Sequence, residues 1–115
     1  MSYDIHVSVK IEGLNQYASV ARPEYSSPTY NLGKMFRIVM GWDFKQGVEY
    51  NCGEVIDKIN NGITRLKCLP NNYRKYEPTN RWGTVESAIR DLESLRDCIY
   101  ETVEYIPIEH LYVRW

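Results

Sequence analysis

Apolar and polar residues alternate at both ends of the chain. Ile5, Val7, Val9 and Ile11 are interleaved with His6, Ser8 and Lys10, the two-residue period of a strand with one buried face. Leu111, Val113 and Trp115 alternate in the same way with His110, Tyr112 and Arg114, and Pro107 marks where this last segment begins. Residues 12–30 are rich in Gly, Asn, Ser, Pro and Tyr around a short strand-like piece, Tyr17 to Ala21. That piece reads as a hairpin partner of the first strand, followed by a loop.

Between the terminal strands the period changes to that of helices. Asn31 reads as an N-cap for a short helix in which Leu32, Met35, Phe36 and Val39 share a face and Gly41 is the stop. Asn51 and Glu54 have capping-box spacing, and Val55, Ile56, Ile59, Ile63 and Leu66 recur on one face until Leu69-Pro70 ends the run. Asn61-Gly62 inside this helix costs roughly 1 kcal/mol relative to alanine and marks a point where it is open to a break. Thr84 caps a third and longest helix, with Val85, Ala88, Ile89, Leu92, Leu95, Ile99 and Val103 as its stripe. Its charged residues, Arg90 and Asp91 among them, read as lying mostly outside that stripe, and the helix is expected to pack across the sheet.

The order strand, short strand, three helices, strand predicts one α+β domain over residues 1–115. Its small antiparallel or mixed sheet is formed by the N-terminal and C-terminal strands side by side at the centre, covered on one face by two or three helices. No internal repeat, low-complexity segment or linker divides the chain. A small open sheet leaves edges to cover, so a homodimer is an expected partner arrangement.

Composition narrows the class. A content of 43% hydrophobic and 25% charged residues is that of a globular chain. The longest apolar run falls far short of the ~20 residues that span a bilayer, and the N-terminus alternates where a signal peptide has an apolar core. A cytoplasmic protein without membrane partners is expected. Cys52, Cys68 and Cys98 are an odd set that reads as reduced thiols, Cys98 in the core, and neither they nor His6 and His110 have metal-site spacing. Residues 58–81 carry six cations against Glu77 alone, whereas residues 82–115 carry three arginines against seven acids. With a net charge of −1 this segregation does not indicate general DNA binding.

Two groups of residues suggest chemistry. With both terminal strands turning their apolar sides to the helices, the opposite face collects His6, Ser8, Lys10, His110, Tyr112 and Arg114, a set able to bind phosphate and stack on a base. The competing reading is the solvated side of a two-layer sheet. His6-Val7-Ser8-Val9 also has the His-x-Ser-apolar form that two-histidine phosphoesterases use in duplicate. The second copy fails, because His110-Leu111-Tyr112-Val113 has tyrosine where a small hydroxyl belongs. A cyclic-nucleotide phosphodiesterase using His6 and His110 is therefore the alternative function.

The second group is the stretch Asn71–Gly83, where Tyr73, Arg74, Tyr76, Arg81 and Trp82 interleave aromatic rings with cations. It suits base stacking over phosphates, or an anchor for a protein partner. It also reads as a structured loop, with Trp82 packed as a staple at the helix start and Pro78 stiffening the turn. Ten tyrosines favour binding over catalysis. No phosphate loop, dinucleotide fingerprint or nucleophile spacing is present, so neither a cofactor nor an enzymatic role is expected.

Met1-Ser2-Tyr3-Asp4-Ile5, Tyr30-Asn31-Leu32-Gly33-Lys34-Met35-Phe36, and Tyr73-Arg74 leading to Pro78, Asn80 and Trp82-Gly83 before a helix with Ala88 and Leu92 together resemble a family. It is a family of small uncharacterised proteins of tailed phages and prophages that open Met-Ser/Gly-Tyr-Asp-Ile. The resemblance spans most of the chain. It implies a phage accessory protein in a bacterial host cytoplasm and carries over no catalytic residue. The expected function is binding: a host-defence inhibitor that occludes a host protein or sequesters a small nucleotide. A virion or assembly component is a further alternative.

Overall fold

In the computed structural model, which describes residues 1–115, the two alternating ends of the chain meet. β1 (His6–Lys10) and β4 (Leu111–Arg114) are antiparallel neighbours, with His6 opposite Arg114, Val7 opposite Val113, Ser8 opposite Tyr112 and Val9 opposite Leu111. They occupy the centre of a four-stranded sheet of order β2-β1-β4-β3. All pairings are antiparallel, which settles the direction that alternation left open. The fold is α+β.

The hairpin partner forms as expected, as β2 (Tyr17–Ala21), with a register shift opposite Val7 and Ser8. The other edge, β3 (Glu49–Asn51), was not foreseen. Its three residues carry no apolar alternation. It exists because it pairs with β4 and because the Tyr50 ring meets Trp42 edge-on, centroids 4.9 Å apart.

One face of the sheet is dry. Ile5, Val7, Leu111 and Val113 are fully buried together with the stripes of α1 (Gly33–Met40), α2 (Cys52–Cys68) and the long helix α4 (Val85–Val103). α2 is the middle helix: it meets β4 and is flanked by α1 and α4. α4 thus lies chiefly along α2, where the sequence pattern suggested a path across the sheet. No helix is long and apolar enough to cross a membrane.

An aromatic cluster closes the end of this core. Trp115 stacks on Phe44 with centroids 4.3 Å apart, and Phe36, Tyr3 and Trp42 surround it at 5.3, 5.6 and 6.3 Å. Trp42 and Phe44 come from a loop, which is why no periodicity announced them.

Helix boundaries follow local chemistry with three departures. Asn31 is not the cap of the first helix: Thr29 Oγ1 accepts from the Asn31 N–H to start a 3-10 turn over Tyr30–Leu32, and α1 continues from it. Gly41, at φ 59°, ends α1 in the left-handed conformation that glycine tolerates. α2 does not break at Asn61-Gly62. There a Cβ on Gly62 would stand 2.8 Å from Met40 Cγ, so the missing side chain is what lets α1 approach. Pro70, expected to end helical structure, instead sits in the first turn of α3 (Pro70–Tyr73), where its missing N–H costs nothing. Asn51 does cap α2, accepting from the Gly53 N–H at 2.9 Å, while its side-chain amide donates to the Glu109 carbonyl at 2.8 Å. Thr84 and Ser87 cap α4 reciprocally.

Candidate functional site

The open face of the sheet holds part of the first predicted group. His6, Ser8, Tyr112 and Arg114 share it by register, but His6, Tyr112 and Arg114 are each engaged by a neighbour from the same chain. His6 Nε2 lies 3.0 Å from Asp4 Oδ2 and Nδ1 lies 3.2 Å from Ser19 Oγ, while Arg22 bonds Asp4 and stands 3.3 Å from His6 Nε2. The hydrogen bond from His6, reinforced by the charges of His6 and Arg22, holds the Asp4 carboxyl below its ordinary range. Arg114 faces Glu49 at 3.6 Å, and the Tyr112 ring meets Tyr17 edge-on at 5.0 Å. Ser8 is buried and Lys10 is exposed at the strand end, opposite Tyr17.

His110 does not join this group. It belongs to the 3-10 turn Ile108–His110 and lies outside the ladder. Four strand positions from the residue opposite His6 amount to about 13 Å of sheet at ~3.3 Å per residue. A general acid and a general base on one phosphate must both be within hydrogen-bond reach of it, and this spacing does not supply that. The face is a compensated charge network over a shallow groove of about 270 Å³.

The aromatic and cationic stretch splits in two. Arg74 grips Glu86 with two bonds, at 2.8 and 3.2 Å, and reaches Glu77 at 3.3 Å, while Glu77 accepts the Val85 N–H at 2.8 Å. These contacts brace the entry to α4. The hydrogen bond to Arg74 lowers the Glu86 carboxyl and raises the Arg74 guanidinium in return. Tyr73 and Tyr76 are half-buried against the core, and Tyr76 carries the ammonium groups of Lys75 and Lys34 at 5.3 and 5.6 Å from its ring. These contacts tie all three residues to the fold.

Arg81 and Trp82 go elsewhere. They stand in the wall of a cleft of about 720 Å³ built from Met1-Ser2, the segment Ser27–Leu32, the turn Asn80–Gly83, and Ser87, Arg90 and Asp91 of α4. Trp82 is 70% exposed and does not act as a staple at the helix start. Leu32 fills that place, pressed so closely on Gly83 that a Cβ there would stand 2.7 Å from Leu32 Cγ. Asn80 Oδ1 accepts the Trp82 N–H at 3.0 Å and Arg81 N–H donates to the Pro78 carbonyl at 3.1 Å. This tight turn holds Arg81 at φ 63°, and it is the only non-glycine residue with a positive φ. Backbone strain of this kind costs about 1–3 kcal/mol and concentrates where side chains are aimed at ligands.

Asp91, 3% exposed, lines this cleft and a smaller one shared with Tyr25 and Arg90. Its Oδ1 accepts from Arg90 Nη2 at 3.2 Å and Nε at 3.4 Å, and its Oδ2 receives no hydrogen bond from the protein. Burial pushes this carboxyl up to about 6, with Arg90 opposing the shift. Arg90 in turn lies over the Tyr25 ring at 4.1 Å. The start of α4 does not add an anion site, because the Val85 and Ser87 N–H groups are taken by Glu77 and Thr84.

Arg90 and Asp91 were missed by sequence reasoning. Asp91 nevertheless left a signal: it stands three residues after Ala88 and four before Leu95, a carboxylate on the apolar stripe. Met1-Ser2, Asn31-Leu32 and Asn80 with Trp82-Gly83, remote in sequence, each contribute to this cleft. No family model matches the chain, and no curated protein or solved structure matches it either.

Proposed function

We propose that this chain is a phage accessory protein of the bacterial host cytoplasm that acts by binding, holding a small nucleotide in the cleft beside Trp82 and so withholding it from a host defence system. The phage setting rests on the resemblance, and the mode of action on the cleft. One arrangement carries the reading: an exposed indole, the Arg81 cation and the buried Asp91 carboxylate line one cleft. An indole stacks on a base, a guanidinium takes a phosphate, and a carboxylate accepts base N–H groups. A cleft of about 720 Å³ is within the usual range for small-molecule sites. The compensated network around His6 favours no phosphodiesterase.

The test is retrieval from infected host lysate with the intact protein, analysing both the captured proteins and the nucleotides released on denaturation. Enrichment of a nucleotide by the natural chain and its loss with Trp82→Ala supports the reading. Capture of a host protein with no nucleotide would transfer the function to occlusion of that protein, and overturn the nucleotide reading.

A further inference from the structure

The depth of Asp91 in the cleft says which base would be preferred. We propose that the cleft selects guanine nucleotides, with the Asp91 carboxylate accepting the two adjacent N–H groups of the guanine pairing edge. This inference rests on reading the cleft as a nucleotide site.

An ionised carboxylate only accepts hydrogen bonds. Guanine offers it N1–H and the 2-amino group side by side. Adenine and cytosine each place an amino donor next to a ring nitrogen that is itself an acceptor, and uracil sets one N–H between two carbonyls. Against those bases one carboxylate oxygen faces another lone pair, and in a recessed site that mismatch is not relieved by water. Asp91 has the required capacity. Oδ2 takes no bond from the protein, and Oδ1, held by Arg90, retains a second lone pair.

Its surroundings fix the rest of the pose. Arg90 is paired with Asp91 and lies over the Tyr25 ring, so it orients the carboxylate. Arg81, with no ion pair of its own, is the cation left at the wall for the phosphate. Trp82 supplies a stacking plane that does not distinguish bases.

The experiment is calorimetric titration of the full chain with GMP, IMP and AMP. GMP is expected to bind at least about tenfold more tightly than AMP, with IMP, which lacks the 2-amino group, between them. In Asp91→Asn the preference of GMP over AMP should fall below about threefold, since an amide presents one donor and one acceptor. Trp82→Ala, at an exposed position, should weaken GMP and AMP alike and keep their ratio. This second variant reads the base selection through an unaltered Asp91 where Asp91→Asn fails to fold. AMP binding as tightly as GMP would overturn the guanine assignment while leaving the nucleotide site standing. Binding of none of the three would overturn both.

Discussion

Gly62 of α2 lies directly against Met40 of α1, so that a Cβ on Gly62 would be 2.8 Å from Met40 Cγ and 3.3 Å from Leu92 Cδ1. Alanine favours a helix over glycine by about 1 kcal/mol, and at an exposed site the exchange would stabilise α2. Here overpacking, which costs about 1–3 kcal/mol, is expected to win. Gly62→Ala should lower the urea midpoint with an unchanged slope. A raised midpoint would show that Met40 gives way at little cost.

Trp115 is the second packing test. It is 2% exposed, and its indole N–H is buried without a partner. Trp115→Ala removes the ring that stacks on Phe44, and should cost about 3–5 kcal/mol, a large share of a small domain's stability. Trp115→Phe should cost distinctly less, because it keeps a ring and discards an unsatisfied donor. Chemical denaturation of the two variants compares them directly.

Asp91 makes stability depend on pH in a defined direction. Its carboxyl titrates from an ordinary 3.8 when unfolded to about 6 when folded. The native chain therefore binds more protons between these values, and this contribution to stability falls as pH rises from about 4 to about 6. A shift of about two pKa units corresponds to roughly 3 kcal/mol. In Asp91→Asn the fall should be absent, so the variant should gain on the natural chain at pH 7.5 relative to pH 4. Asp4 and Glu86, whose carboxyls are lowered, shift stability the opposite way but are common to both proteins and cancel in the comparison.

The cysteines should separate by reactivity. Cys68 is exposed, whereas burial pushes the Cys52 and Cys98 thiols up to about 12 and about 11. Since the thiolate is the nucleophile, iodoacetamide at pH 8 should label Cys68 alone in the native protein and all three in guanidinium. Mass spectrometry of the labelled chain gives the count.

The terminal strands and three main helices were legible because burial of one face imposes a period, and the period is written in Ile5–Ile11, Leu111–Trp115 and the apolar stripes. β3 was not legible, since Glu49–Asn51 is held by its neighbour β4 and not by its own pattern. Trp42 and Phe44 were hidden for a related reason: a loop that packs inward has no period. At the site, Arg81 and Trp82 stood out as an aromatic beside a cation. Their separation from Arg74 and Tyr76 depended on which acids lay opposite, and Glu86 reaches Arg74 only once α4 is in place. His6 looked free in sequence because Ser19 and Arg22 come to it through the β1–β2 pairing.

The pairing of β1 with β4 has a consequence in time. His6 must wait for Arg114, more than a hundred residues later, before the middle of the sheet exists. Contacts this distant in sequence slow folding, since the chain pays for closing the loop before the strands repay it. During synthesis the N-terminal hairpin and the helices emerge first and have no central seam to dock on. The inner edge of β1 then stays unpaired until β4 has been made, which makes β4 the segment on which productive folding depends.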